Sequence, residues 1–311
     1  MRVTANTFTD SLITQLNQLS VRQNRYQTQA ATGQRVQLPE DDPVAMRRVL
    51  SLQAEGKSEA QYQNNIARQQ ELANSSFHAI KGLKAVSDRA RELSISADSL
   101  KSPGELALYG KEVTELIKQA VQAANSKNRG DSLFAGTKND QPPFVVTLDG
   151  NGVVTGVTYQ GNTSIAESEI TTGVTLSVQS IGENTSGSGP RGLITDSRSG
   201  ADLFNHLIAF QNHLLAGDAA SVESIDRPSL AQDEDNLLYH LGTNGAVQAN
   251  LEATLSSVKQ RGDDVEKLVS REVDADFAQT LLRLSQTQTA YQAALQSAGK
   301  VLGTSLLDYL R

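Results

Sequence analysis

The residues able to do chemistry are few and scattered. The chain of 311 residues carries four histidines, His78, His206, His213 and His240, and no cysteine. His206 and His213 stand seven apart, which on one helix places them on a common face. Ligand pairs close in sequence usually stand three or four apart, so this spacing favours ordinary surface or partly buried histidines over a zinc site. No His-Glu-x-x-His run occurs, which removes the usual metalloprotease arrangement. Without cysteine there are no disulfides, no thiolate zinc sites and no thiol nucleophile. Asp41-Asp42 offers two adjacent carboxylates, the raw material of acid–base catalysis. The proline that follows, Pro43, makes them the start of a capped helix instead. Asp149-Gly150-Asn151-Gly152 resembles a calcium loop only superficially, lacking its carboxylate spacing and closing glutamate, and fits a hairpin turn. Asn162-Thr163-Ser164 and Asn184-Thr185-Ser186 match the glycosylation tripeptide, a pattern too short to carry weight. Nothing resembles a glycine loop that cradles phosphate. The expectation is a protein without catalysis, cofactor or metal.

Composition narrows the class further. Apolar residues make up 38% and charged residues 20%, a balance that is neither disordered nor membranous. Aromatics are only 5% and tryptophan is absent, which suits long helical packing better than one bulky core. A net charge of −7, with no basic stripe, argues against nucleic acid. The segment Met1–Asp10 lacks the regions of a cleavable signal peptide, and no apolar run is long enough to span a bilayer. The absence of cysteine suits a protein that crosses a membrane unfolded and works outside, where a stray thiol could cross-link.

The elements that would position these residues follow from periodicity. Residues 1–34 form a helical block that breaks near Gly33. Leu38-Pro39-Glu40-Asp41-Asp42-Pro43 ends it, with Asp42 capping the next helix and Pro43 in its first position. A long helix is predicted from about Val44 to Leu100, burying Ile66, Ala73, Phe77, Ile80, Leu83 and Ala90. Gly56 and Gly82 are weak points in it. Ser102-Pro103-Gly104-Glu105 is a capping box that opens a helix carrying Leu106, Val113, Leu116, Ile117, Ala120 and Val121. The period then changes. Phe144–Leu148 and Val153–Tyr159 form a hairpin, and Val174, Leu176 and Val178 alternate as a half-buried strand. Glu183–Ser199, rich in Ser, Gly and Thr, is expected to be a linker, after which Ser199 caps a helix running through Ala209–Leu215. From about Leu230 helix dominates, and the lack of proline after Pro228 permits one or two very long helices.

The order is therefore helix, β insert, helix. It implies a mainly α fold with a β-rich insert, an elongated hairpin of long helices whose two ends come together. Both ends carry the same pattern. Leu12, Leu16, Leu19, Gln23, Tyr26 and Ala30 advance in steps of four and three. So do Phe277, Leu281, Leu284, Gln288, Tyr291, Leu295, Ala298 and Leu302. Such stripes need partner helices to cover them, so the terminal helices are expected to pair in a coiled coil with each other or with neighbouring copies. Gln23 and Gln288 interrupt the stripes, each three residues before a tyrosine, and are expected to meet at one level and set register.

Three segments carry a resemblance. Ala31-Thr32-Gly33-Gln34-Arg35-Val36, followed by Pro39-Glu40-Asp41-Asp42-Pro43-Val44-Ala45, resembles the N-terminal signature shared by bacterial flagellins and the hook-associated protein 3 family. Gly130-Asp131-Ser132-Leu133-Phe134-Ala135-Gly136-Thr137-Lys138 with Pro142-Pro143-Phe144 is closer to the hook-associated protein 3 family. So is the ending Leu302-Gly303-Thr304-Ser305-Leu306-Leu307-Asp308-Tyr309-Leu310, since flagellins typically end in a different, Gln- and Leu-rich helix. The insert beyond Gln160 matches no family. The resemblance implies a flagellin-like fold and a structural adaptor joining flagellar hook to filament. It implies an extracellular place in the bacterial flagellum, reached without a cleaved signal peptide. The implied partners are further copies of the chain in a ring, hook-associated protein 1, flagellin, an export chaperone and the type III export apparatus. Nucleic acid and membrane insertion are not among them. Terminal helices of the family are usually poorly ordered in the free monomer and fold on assembly, as expected of a two-helix stripe with too little burial to stand alone. Residues 1–42 and 271–311 would form the terminal assembly domain, 43–141 and 199–270 a helical rod, and 142–198 an outward-facing β domain tolerant of change. Arg35, Pro39, Asp41, Asp42 and Pro43 would be the hinge and cap between assembly domain and rod. Flagellin itself, a catalytic flagellin-like protein, and a cytosolic coiled-coil scaffold are the competing readings.

Overall fold

The computed structural model describes the backbone of residues 3–309 and the side-chain surroundings of residues 10–300. Contacts divide the chain into two compact units. One comprises Met1–Ser58 with Arg261–Arg311, the other Glu59–Gln260. The long helices α2 (Pro43–Ser96) and α6 (Arg227–Val273) contribute residues to both.

The terminal unit contains α1 (Val3–Thr32), the start of α2, the end of α6, and α7 (Phe277–Tyr309). Asp42 starts α2 as the sequence requires: its Oδ1 accepts from the backbone N–H groups of Val44 and Ala45 at 3.2 and 3.0 Å. Proline in the first helical position loses nothing there, because that N–H would have no partner. α2 ends at Ser96 rather than near Leu100. The helical run from α6 onward is broken at Asp274–Asp276. Asp276 restarts it, its Oδ1 accepting from the N–H of Gln279 at 3.0 Å. That break follows from an Asp-x-x-Gln start signal in Asp276-Phe277-Ala278-Gln279.

The second unit is built on α3 (Pro103–Ala124), α4 (Leu203–Ala216) and the adjoining parts of α2 and α6, with a set of small sheets. α3 opens with the expected capping box, the N–H of Glu105 donating to Ser102 Oγ and that of Ser102 to Glu105 Oε2. All six of its predicted apolar positions are buried. α4 packs on α3 so closely that a Cβ at Gly110 would stand 2.9 Å from the Leu215 side chain. In α2 the predicted Ile66, Ala73, Ile80, Leu83 and Ala90 are buried, and Phe77 is half-buried. A one-turn helix, α5 (Ala219–Ser221), leads into a π-helical turn, Val222–Asp226, that merges with α6.

The strands come in four groups. β1 (Lys127–Asn128) and β2 (Asp131–Ser132) form a minimal hairpin, with Arg129 and Gly130 in the left-handed region between them. β3 (Phe144–Leu148) and β4 (Val154–Tyr159) are the predicted hairpin, with Phe144 opposite Tyr159 and Val146 opposite Val157. β5 (Ser168–Thr171) pairs with β6 (Val174–Leu176). The expected linker is instead folded. β7 (Ile181–Asn184) runs parallel to β8 (Gly192–Asp196), and β9 (Ala201–Asp202) pairs antiparallel with β8. Leu193 and Ile194 are each 1% exposed. Ser199 does not cap α4 either; Asp202 holds that position, and Ser199 Oγ accepts from the N–H of Ala201.

Helices and sheets share one core. Phe134, Phe144, Val154, Leu193 and Ile194 join residues of α2, α3, α4 and α6 in the main apolar cluster. Ile170 and Val178 join Ile66, Ala73, Leu251 and Val258 in a second. Side-chain amides tie the loops to this core. Asn125 at the end of α3 forms two hydrogen bonds with the backbone of Phe144, at 2.8 and 2.9 Å. Asn162 Oδ1 accepts from the N–H of Thr137, and its Nδ2 donates to Thr137 Oγ1. Asn184, 1% exposed, spends its amide on Ser188, Pro190 and Ser186 within the β7–β8 connection. Both glycosylation tripeptides are thus centred on asparagines engaged in the fold.

Two outcomes test this packing. Gly136 has φ +67°, and a Cβ there would lie 2.2 Å from Asn162 Oδ1 and 2.4 Å from the Asn162 carbonyl. Gly136→Ala therefore combines left-handed strain with a backbone collision and is expected to cost about 3 kcal/mol or more in urea unfolding. His240 is buried with Nε2 3.1 Å from the Gly192 carbonyl, and burial pulls its pKa down to about 4. The unfolded chain then binds a proton that the fold refuses, so His240 lowers stability as pH falls from the ordinary histidine value towards 4. The stability difference between His240→Gln and the parent protein should shift by about 2 kcal/mol in favour of the variant between pH 7 and pH 5.

Candidate assembly surface

Among the described residues no group of three or more His, Cys, Asp or Glu is placed to hold a metal ion. His206 and His213 turn Nδ1 to separate aspartates, 2.9 Å from Asp233 Oδ2 and 2.9 Å from Asp226 Oδ2. The site with the most to say is the terminal unit itself.

α1 and α7 pack on each other and run antiparallel, because Gly33 at the end of α1 bonds Ala275 at the start of α7. On α1 Leu12, Leu16, Leu19, Gln23, Tyr26 and Ala30 are half-buried, a stripe in steps of four and three, with Ser20 beside it. On α7 the covered positions are Thr280, Leu284, Thr287, Tyr291, Ala294 and Ala298. Leu284, Tyr291 and Ala298 belong to the predicted stripe. Phe277, Leu281, Gln288 and Leu295, which also belong to it, are exposed in the single chain. Leu302 lies outside the residues whose side chains are described. Gln23 and Gln288 therefore differ in environment, the first half-buried and the second open to solvent.

α7 begins at the Asp276 cap and presents the line of Thr280, Thr287 and Ala294 towards α1. The neighbouring line of Leu281, Gln288 and Leu295 is left without cover. Small side chains on the inner line let the helices approach; large ones on the outer line find no partner. Among the described residues of the two helices only Gln29 and Thr280 are buried, and both are polar. By contrast Phe277 is 57% exposed, Leu282 59%, Leu295 46%, Ile13 52% and Val21 68%. Covering one such side chain is worth about 1.5–3 kcal/mol, so the pair retains several unrealised increments of stability.

The hinge segment is tightly specified. Gly33, at φ +73°, caps α1 in the left-handed conformation, its N–H donating to Gln29 O. Gln34 pairs with Asp274 as an antiparallel bridge, and the N–H of Arg35 donates to Val273 O at 2.6 Å. The Arg35 guanidinium reaches Glu272 O at 2.8 Å and Asp42 Oδ2 at 3.4 Å. Gln29 Nε2 closes the loop on Arg35 O at 3.1 Å. Pro39 sits second in a turn that the N–H of Asp41 closes on Leu38 O at 3.0 Å, a place that fits its fixed φ. Asp41 Oδ2 accepts from the N–H groups of Leu38 and Gln37, which with Arg25 hold its carboxyl below the usual range. Asp42 is held low chiefly by the N–H of Ala45 and further by Arg35. Val36, Ala45 and Val49, in and after this segment, are buried. The carboxylates that might have served acid–base chemistry are committed to backbone amides. The Gln34–Asp274 bridge was not legible in the sequence; the Asp-x-x-Gln cap that follows it was the available sign.

Neither a protein-family model nor a curated protein matches the sequence. Solved structures do. A protein of Vibrio parahaemolyticus described as a flagellar hook-associated protein aligns over 75% of this chain and 100% of its own, at 19% identity and a TM-score of 0.63. The FlgL protein of Bacillus cereus aligns over 70% of this chain and 97% of its own, at 18% identity and a TM-score of 0.54. The flagellar junction protein FlgL of Legionella pneumophila covers 74% of this chain and all of its own, at 14% identity and a TM-score of 0.51. These likenesses establish the fold: a mainly helical chain with a β-rich insert, shared with flagellar hook-associated and junction proteins.

Proposed function

We propose that the protein is a non-catalytic structural adaptor joining the flagellar hook to the filament, exported from the cell and assembled there as a ring of identical copies. The observation that carries this reading is the terminal helix pair, whose large apolar side chains stay open in the single chain on a fold shared with flagellar junction proteins. A stripe that one partner helix leaves uncovered is completed by neighbouring helices. On this reading Leu12, Leu16, Leu19, Gln23 and Tyr26 meet Leu284 and Tyr291 within one copy, while Leu281, Gln288, Leu295 and Leu302 meet the next. Residues 1–42 and 271–311 are the assembly domain, 43–141 and 199–270 the rod, and 142–198 the outer part. Hook-associated protein 1 on one side and flagellin on the other are the expected neighbours. An export chaperone and the type III apparatus would handle the chain before assembly.

The hinge fits the same role. Arg35, Pro39, Asp41, Asp42 and Pro43 join two helices through a short, heavily hydrogen-bonded turn, able to carry load between assembly domain and rod. The likeness to hook-associated and junction structures, together with the Gly130–Lys138 and Pro142–Phe144 motifs, favours an adaptor over the bulk filament subunit.

Deleting the gene should leave bare hooks with monomeric flagellin in the culture medium, seen by negative-stain microscopy and immunoassay. Normal filaments would reject the proposal, and bare hooks with no secreted flagellin would point to the filament subunit instead. Leu295→Glu or Leu302→Glu should abolish filament attachment while the variant still appears in the medium. Normal filaments on cells carrying either variant would overturn the assembly role of this stripe.

A further inference from the structure

α4 is attached to the helices beside it by a repeated device. His206 Nδ1 lies 3.0 and 2.9 Å from the two carboxylate oxygens of Asp233 on α6. One heptad on, His213 Nδ1 lies 3.1 and 2.9 Å from those of Asp226, which the π-helical turn supplies. Both aspartate side chains are out of solvent, at 0% and 2% exposure, whereas the imidazoles keep 24% and 30%. A buried carboxylate needs a compensating charge or donor, and here the imidazole is what faces it.

The surrounding charges sharpen the point. Asp202 lies at the start of α4, its N–H donating to Asp233 Oδ1 at 2.8 Å, and Asp218 caps α5. Cations nearby are engaged elsewhere. Arg227 donates to Ser94 O and pairs with Glu223; Lys84 and Arg91 share Glu234; Arg198 of the β8–β9 turn holds Asp196. On α3, Glu112 pairs with Arg89 and Lys118 with Glu115. Among the described residues, the seam between α4, the π-helical turn and α6 gathers four aspartates. The two histidines are the groups that can bring positive charge to the buried pair.

We infer that this seam is a proton-operated joint: protonated His206, bonded to the buried Asp233, clamps α4 to α6, and loss of that proton as pH rises loosens α4. The π-helical turn, the wider turn, supplies Asp226 to His213. His206 and Asp233 share one proton between imidazole and carboxylate. Hydrogen bonding to Asp233 raises His206 above the ordinary histidine value, and burial raises both Asp233 and Asp226 above the ordinary carboxylate value. The fold keeps the His206 proton better than the unfolded chain does, so the joint's contribution is complete below the ordinary histidine pKa and is lost as pH rises through the raised one. His240 works in the opposite, acid window and does not confuse the reading.

Hydrogen–deuterium exchange of the full chain at pH 6 and pH 9, corrected for intrinsic exchange, tests the joint. Protection of α4 amides should fall several-fold relative to those of α3. In His206→Gln/His213→Gln that pH dependence should vanish. An α4 whose relative protection is unchanged across this range in the parent protein, or whose loss persists undiminished in the double variant, overturns the inference. Should the double variant fail to fold, a ring-resonance titration of the parent protein decides: a His206 midpoint at or below the ordinary histidine value also overturns it.

Discussion

Two helices can cover only one side of each other, and α1 and α7 carry more apolar surface than one side holds. The constraint is geometric. A heptad stripe turns two of every seven positions inward, and a pair of helices satisfies those and no more. Here the inner line of α7 is filled by Thr280, Thr287 and Ala294 between Leu284, Tyr291 and Ala298, while Leu281, Leu282 and Leu295 stand outside it. Had the large residues taken the inner line, the pair would have been a better isolated hairpin and a poorer assembly element. The arrangement gives up stability in the single chain and keeps surface for a neighbour. The interior side chains in the described part of the pair, Gln29 and Thr280, are polar, so packing alone does not define its register. The clasp of Gly33, Gln34 and Arg35 on Glu272–Ala275 defines it instead, through backbone hydrogen bonds that admit no slippage.

The second unit solves the reverse problem. Its strands are short, and strands of two to six residues provide few ladder bonds of their own. Buried side-chain amides supply what the ladders lack. Gln211, fully buried on α4, accepts from Thr114 Oγ1 of α3 and donates to Val154 O of β4, linking three elements through one side chain. Asn236 donates to both Gly192 O and Leu193 O. Such groups cost stability when left unpaired and confer a unique arrangement when fully paired. Asn184 shows the scale of the effect. Parallel strands normally need a crossover of a dozen residues or more, yet β7 and β8 are joined by the segment 185–191 alone. Left-handed Gly187 and Gly189 turn the chain, and the amide of Asn184 stands in for the missing secondary structure.

This explains what could be read from the sequence and what could not. Helices announce themselves by period and caps: the Ser102–Glu105 box, Asp42 with Pro43, and the apolar faces of α2 and α3 need only local physics. The hairpin at 144–159 does too, since its turn residues and alternation lie side by side. The Ser- and Gly-rich stretch from Glu183 to Ser199 obeys no local rule. Its order comes from Arg198, Asp196 and Asn236, partners that composition does not rank above any others. The short apolar triplet Gly192-Leu193-Ile194 was the one sign that the stretch is not a linker. On α7 the stripe was legible as a stripe, but which of its lines meets α1 is set by tertiary packing that no local pattern records. The pairing of His206 and His213 with Asp233 and Asp226 required the π-helical turn, for which sequence offers no signal.

The insert's place in the core bears on how such a protein can vary. Residues 142–198, expected to face outward and tolerate change, also contribute Phe144, Val154, Leu193 and Ile194 to the cluster formed by α2, α3, α4 and α6. Phe144 stacks edge-on to Phe204 of α4 at 5.2 Å and leans on Tyr159 at 5.1 Å. Tyr159 donates its hydroxyl to Phe134 O, and burial pushes its pKa up to about 12, so it remains a donor at every physiological pH. The inner layer of the insert is therefore part of the same cooperative body as the helices beneath it, and removing it would uncover them. Freedom to vary belongs to the exposed strand positions, such as Val145, Leu148 and Val174. Variation in the insert should accordingly follow the pleat rather than the segment: alternate residues fixed by burial, their neighbours free, with the asparagine-pinned turns fixed as firmly as the core itself.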